Sequence, residues 1–135
     1  LIIYNPLSKS NGTTAALTSL IDIYPTLVEL CELKAPKEQL DGTSLVPILK
    51  NPESEGRKHV FIKRANGFTL KTKAYSYTEF INAADNSVLD KMLYDHRENK
   101  VENTNVVYKK EFQSIAAEMS QTLHSAYQKN IEGND

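Results

Sequence analysis

The chain has 135 residues, enough for one domain or part of one, with 40% hydrophobic and 24% charged residues. Its 16 basic and 17 acidic side chains nearly cancel, to a formal net charge of −1. That balance excludes the basic excess of a nucleic-acid footprint, and no apolar run reaches the roughly 18 residues that a membrane span requires.

The chain opens Leu1-Ile2-Ile3-Tyr4-Asn5-Pro6. This has neither the basic region nor the small-residue cleavage site of a signal peptide. The missing initiator Met suggests a piece of something longer. The apolar run 1–4 reads as a strand buried on both faces of a larger sheet. Residues 9–14 read as a polar loop.

Residues 19–33 read as a helix. Ser19 with Asp22 three positions on is a start signal, and Leu20, Ile23, Tyr24, Leu27, Leu30 and Cys31 recur at helical spacing. Pro25 would break a helix interior. A 3₁₀-like turn ahead of it, with the regular helix beginning there, accommodates it. Between 36 and 52 the chain is punctuated by prolines and by the turn pair Asp41-Gly42, and 43–49 predicts a short helix. Residues 53–58 are charged and expected to be exposed.

From His59 the period shortens to two. Stretches 59–63, 68–72, 75–80 and 91–95 are strand candidates rich in aromatics and Thr. Ala65-Asn66-Gly67 fits a hairpin turn, Lys73-Ala74 a tighter connection, and 82–89 a longer polar loop. From 108 to 129 the helical period returns. Phe112, Ile115, Ala116, Met119, Leu123 and Tyr127 form one stripe. The last residues, 132–135, read as a frayed end. The expected class is α+β: a small antiparallel sheet of about four strands packed by a C-terminal helix, preceded by a strand and a helix.

Few residues carry chemistry on these grounds. Cys31, the one cysteine, sits on the apolar stripe and reads as a buried structural thiol. His59, His96 and His124 lack metal-site spacing, and Asp95-His96 reads as a turn. No nucleophile elbow or phosphate-binding Gly loop is present. Lys63 and Arg64, together with Lys71 and Lys73, form a basic group able to meet an anion. The alternative is a solvated strand end.

Two stretches go further. The run Leu20-Ile21-Asp22-Ile23-Tyr24-Pro25-Thr26-Leu27-Val28-Glu29-Leu30, followed by Leu40-Asp41-Gly42-Thr43-Ser44-Leu45-Val46-Pro47-Ile48-Leu49, resembles a signature of sulfatases. Leu70-Lys71-Thr72 with Tyr75-Ser76-Tyr77-Thr78-Glu79-Phe80, then Leu93-Tyr94-Asp95-His96, Glu102 and Asn105, is similar to a pattern of the iduronate-sulfatase branch of the alkaline phosphatase superfamily. Residues 1–6 fit the strand that precedes the first signature. The sequence departs from the family at Glu32, where a helix-ending Gly is usual, at Asn99-Lys100 in place of Asp-Pro, at Lys71 in place of Arg, and at Phe80 in place of Trp.

The resemblance implies that residues 1–55 are the tail end of the large sulfatase α/β domain and 56–135 the C-terminal subdomain. It implies hydrolysis of sulfate esters, of a sulfated sugar, by a formylglycine nucleophile aided by Ca²⁺. Both would lie upstream of residue 1. No catalytic residue, metal ligand or cofactor of this chain carries over, so the chain alone is expected to be inactive. Its expected partners are the missing N-terminal domain and, in the full enzyme, the sugar. Lys63 and Arg64 become candidates for one wall of the substrate cleft. The family implies a periplasmic, secreted or lysosomal setting. Rival readings are a phosphonate or phosphodiester hydrolase of the same superfamily, a non-catalytic carbohydrate-binding module, and the small chain of a nicked enzyme.

Overall fold

The computed structural model describes residues 1–6, 11–34, 40–97 and 101–132, with side chains as far as Ala126. The chain divides into two compact units, Leu1–Lys58 and His59–Asp135.

In the first unit a 3₁₀ turn, Leu20–Asp22, leads into α1, Ile23–Leu30. Pro25 thus falls in the first turn of α1, where a missing N–H costs least. Asp22 Oδ2 accepts the Ser19 N–H at 2.8 Å, which closes the expected start signal. The helix ends in a left-handed stop. Glu32 takes φ 52°, the Leu33 N–H donates to Val28 O at 2.9 Å and the Glu32 N–H to Glu29 O at 3.3 Å. The position where the resemblance leads one to expect Gly takes positive φ, and Glu32 adopts it.

The short helix α2, Val46–Lys50, is held against α1 through side chains of the first signature. The Leu45 N–H donates to Thr26 Oγ1 at 2.8 Å, and the Thr43 N–H to Asp22 Oδ1 at 2.8 Å. Gly42 permits this approach: a Cβ there would stand 2.0 Å from Ile21 O.

Residues 1–5 differ from expectation. They form no strand, and Ile2 is 96% exposed. A strand exists through its ladder partners, and among the described residues none pairs with this run.

The second unit holds strands β1 (Val60–Arg64), β2 (Gly67–Lys71), β3 (Tyr75–Ile81) and β4 (Val88–Asp95). They form one antiparallel sheet in chain order. Two residues turn β1 into β2, with Ala65 at φ 51°. β4 starts three residues earlier than its alternation suggests. A register shift at Phe80/Ile81 lets Val88 rejoin the ladder opposite Ile81.

A second 3₁₀ turn, Lys110–Phe112, opens α3, Gln113–Glu132. Leu70, Tyr77 and Leu93 point from one sheet face into a core with Ala116, Met119 and Leu123 of α3 and with Val106 and Val107. Phe112 and Ile115 pack against that core. The helical stripe therefore lies where its 3.6-residue period put it, as far as its described side chains extend. Tyr127, whose side chain is not among those described, and Asn99 and Lys100 lie outside the described part.

Candidate functional site

Period-two alternation puts Tyr77 and Glu79 on the same sheet face as the core. Four-residue spacing puts Ser120 and His124 on one face of α3. These four side chains meet. Glu79, with no exposed surface, accepts hydrogen bonds from Tyr77 Oη at 2.6 Å and Ser120 Oγ at 2.7 Å on Oε1. Its Oε2 lies 2.6 Å from His124 Nε2. Lys91, the β4 residue opposite Glu79, brings its ammonium to 3.6 Å.

Burial alone would raise the Glu79 pKa. The hydrogen bonds from Tyr77, Ser120 and His124 and the His124 charge outweigh it, and the carboxyl sits below its ordinary value. Burial and the same carboxylate push the Tyr77 phenol up. Both carboxylate oxygens of Glu79 are engaged by partners. The group holds a helix against a sheet, and it is not a free base.

Beside this cluster a groove of about 580 Å³ runs between β4 and α3, a size in the range of small-molecule sites. Tyr77, Lys91, Tyr108, Gln113, Ser120 and Gln121 are among its lining residues. Tyr108 Oη donates to Asp90 Oδ1 at 3.1 Å along its rim.

Lys63 and Arg64 lie elsewhere. Both are exposed on β1, the edge strand opposite β4, roughly 14 Å away across three strand spacings. Lys63 pairs with Phe68 and its ammonium sits 5.2 Å from that ring centre. Arg64 pairs with Gly67, so the pleat sends the two side chains to opposite faces. The wider basic group does not assemble. Lys71 lies at the far end of the hairpin, opposite Val60, and its ammonium is 3.8 Å from Glu102.

The motif residues of the second signature turn out to be fasteners. Asn105 Oδ1 accepts the Leu93 N–H at 2.9 Å and the Val107 N–H at 3.1 Å, and its Nδ2 donates to Lys91 O at 3.1 Å. Glu102 Oε1 lies 3.2 Å from His96 Nε2. Asp95 is engaged by Arg97 in a two-pronged contact at 2.6 and 3.0 Å; it closes β4 opposite Tyr75, and the turn expected of Asp95-His96 begins only at His96.

In the first unit Asp22 plays the part that Glu79 plays in the second. It is fully buried and gripped by Arg57, whose Nε donates at 3.2 Å and whose Nη2 makes the second prong. Burial works to raise its pKa, and the Arg57, Thr43 and Ser19 donors overcome it and hold the carboxyl below the ordinary range. Cys31 corrects expectation: it is exposed, because it follows the last residue of α1 on the outward side. Among the described residues no three His, Cys, Asp or Glu side chains converge to hold a metal ion.

The sequence carried both halves of the Glu79 cluster, Tyr77/Glu79 and Ser120/His124, as same-face pairs. What it lacked was any sign that strand and helix pair with each other.

Residues 1–129 match the family model described as N-sulphoglucosamine sulphohydrolase, C-terminal. The chain is 27% identical to Arylsulfatase K of Homo sapiens over 135 residues, covering 93% of this chain and 25% of the relative. It is 28% identical to Arylsulfatase K of Bos taurus, covering 93% and 24%. It thus spans about a quarter of the length of these relatives.

Among solved structures, a protein in complex with its substrate D-glucosamine-2-N,6-O-disulfate superposes with a TM-score of 0.66 at 24% identity, over 84% of this chain and 24% of that one. The phosphonate monoester hydrolase of Agrobacterium radiobacter does so with a TM-score of 0.64 at 23% identity, over 84% and 25%. At that identity the likeness speaks for the fold. The chain belongs to the N-sulphoglucosamine sulphohydrolase C-terminal family and is a sulfatase C-terminal portion.

Proposed function

We propose that this chain serves a sulfuric ester hydrolase acting on a sulfated sugar, with iduronate-sulfatase-like specificity. It completes the fold and supplies one wall of the substrate cleft. The family match over residues 1–129 supports the sulfatase part of the reading, and the resemblance of the second signature supports its iduronate-like part. The formylglycine nucleophile and Ca²⁺ belong, in this proposal, to the remaining polypeptide, and no residue here is assigned to either. The setting is periplasmic, secreted or lysosomal; no helix among the described residues is long and apolar enough to cross a membrane.

Lys63 and Arg64 are the proposed wall residues. Because they occupy opposite sheet faces, one of them meets a given anionic group. Arg64 is the better placed, since Lys63 already rests on Phe68. Joining the chain to its upstream sulfatase polypeptide and assaying 4-nitrophenyl sulfate and a sulfated disaccharide tests the reading. Activity is expected only in the joined form. Arg64→Ala is expected to raise KM for the disaccharide and leave 4-nitrophenyl sulfate unaffected. Turnover by the isolated chain would overturn the proposal.

A second reading, hydrolysis of phosphonate monoesters, is favoured by the fold likeness to the Agrobacterium enzyme. A joined protein that prefers a phenyl phosphonate monoester to the sulfate ester would establish it in place of the first.

A further inference from the structure

The seam at Glu79 leaves much of the groove between β4 and α3 unused. Its floor is apolar: Val107 and Ala116 are buried there. Its polar groups include two opposite charges on successive residues. Lys91 is half-buried and holds its ammonium 3.6 Å from Glu79 Oε1, so a buried carboxylate already offsets its charge. Asp90 is exposed. Its Oδ1 accepts the Lys91 N–H at 2.7 Å and Tyr108 Oη at 3.1 Å. Its Oδ2 has no hydrogen-bond partner among the described residues. The same holds for Gln113 Oε1, whose amide nitrogen is committed to Val107 O at 2.9 Å, and for the side-chain amide of Gln121. Tyr108 stands at the rim with its side chain 73% exposed, and its bond to Asp90 fixes the direction of the ring. An oriented, uncovered ring of this kind is a platform for a flat apolar face.

The charges choose the ligand. A sulfate or carboxylate in the groove meets Asp90, and an ammonium meets Lys91; each approach sets like charges together. An uncharged hydroxyl suits both. It donates to Asp90 Oδ2 or Gln113 Oε1 and accepts from Lys91 Nζ or the Gln121 amide. A sugar ring carries such hydroxyls around an apolar C–H face, and a groove of this size with an apolar floor and a few convergent polar groups has the make-up of a small-molecule site. We propose that the groove binds an uncharged sugar ring, with Tyr108 against its C–H face and Asp90, Lys91, Gln113 and Gln121 on its hydroxyls. Lys63 and Arg64 sit at the other edge of the sheet and suit the opposite chemistry, an anionic group. Binding of a neutral ring needs neither a sulfate ester nor a residue outside this chain.

Amide chemical shifts of the isotope-labelled 135-residue chain, and of the chain joined to its upstream polypeptide, are followed during titration. The probes are diacetylchitobiose, an uncharged disaccharide, and separately inorganic sulfate, glucuronic acid and glucosamine. Saturable shifts at Asp90, Lys91, Tyr108 and Gln121 are expected with the disaccharide, and weaker responses with the three charged probes. Tyr108→Ala is expected to weaken disaccharide binding about tenfold. Gln121→Ala, on the exposed side of α3, is expected to weaken it about threefold. Asp90→Asn is expected to weaken the disaccharide by a similar factor and to strengthen glucuronic acid. A folded protein, in either form, that shows no saturable shift with the disaccharide overturns the proposal. So does a stronger response to a charged probe, or a response centred on β1. Loss of binding in the joined form overturns it as well, because the upstream polypeptide then fills the groove. Binding in a joined protein that hydrolyses no sulfate ester leaves the sugar site standing and removes the sulfatase reading instead.

Discussion

The imidazole of His124 stands 2.6 Å from the carboxylate of Glu79, across the seam between α3 and β3. Glu79 is wholly buried, whereas the His124 side chain is half exposed. The two ends of the contact should therefore differ in worth. Glu79→Ala strands the Tyr77, Ser120 and His124 donors and is expected to cost about 3 kcal/mol. His124→Ala, whose ring can regain water, is expected to cost about 1 kcal/mol. Urea unfolding of the two variants and of the double variant checks this. The double variant should cost less than the sum, since both changes remove one shared contact. Equal costs for the two single variants would contradict the burial asymmetry.

Glu79 and Asp22 both have carboxyl pKa values below the ordinary 4.5 and 3.8. Above those ordinary values both folded and unfolded forms are deprotonated, and the stabilisation is complete. As pH falls below them the unfolded chain takes up protons first, so stability declines, and it is lost once pH passes the lower folded values. Urea midpoints should be flat in this respect near neutrality and drop below about pH 4.5. The drop should be shallower in Glu79→Gln. An unchanged acid slope in that variant would show that the carboxylate contributes nothing to it.

Asn105 acts as a substitute strand for β4, accepting from the Leu93 N–H and donating to Lys91 O, while its Oδ1 also takes the Val107 N–H. Asn105→Ala is expected to cost about 2 kcal/mol and to speed amide exchange at Leu93 and Val107. Asn105→Asp keeps the acceptors and loses the donor to Lys91 O, so its cost should be smaller. Exchange rates at those two amides that match the unaltered chain would refute the assignment.

Two backbone positions predict opposite signs. Gly42→Ala would set a Cβ 2.0 Å from Ile21 O, and the first unit should lose its cooperative unfolding. Glu32→Gly relieves a left-handed residue at φ 52° and should stabilise by about 1 kcal/mol. Thermal melts of the two variants test both claims.

What the sequence revealed follows from how local each cause is. The hairpin strands, the 3₁₀ turn before Pro25 and the α3 stripe rest on neighbours within a few residues, and the fold class came out as read. β4 was read short because Val88–Asp90 rejoin the ladder through a register shift beyond a polar loop, which alternation cannot register. Apolarity alone made the run 1–4 look like a buried strand and Cys31 look buried. Apolarity gives a preference for cover without saying which polypeptide supplies it. The Glu79 cluster escaped notice because its halves lie 41 and 45 residues apart. In the same way Lys63 and Arg64 are legible as charges, whereas the strand pleat parts them onto opposite faces.

The sheet runs β1-β2-β3-β4 in chain order, so each pairing closes a short loop. Closing short loops is fast, whereas bringing Ser120 and His124 back to Glu79 spans more than forty residues. The order of events in folding follows: the meander assembles first, and α3 seats afterwards on a carboxylate that the sheet has already buried on one side. Substitutions at Ser120 or His124 should therefore leave the folding rate nearly unchanged and accelerate unfolding. The seam at Glu79 would then govern how long the second unit survives once formed, rather than how quickly it forms.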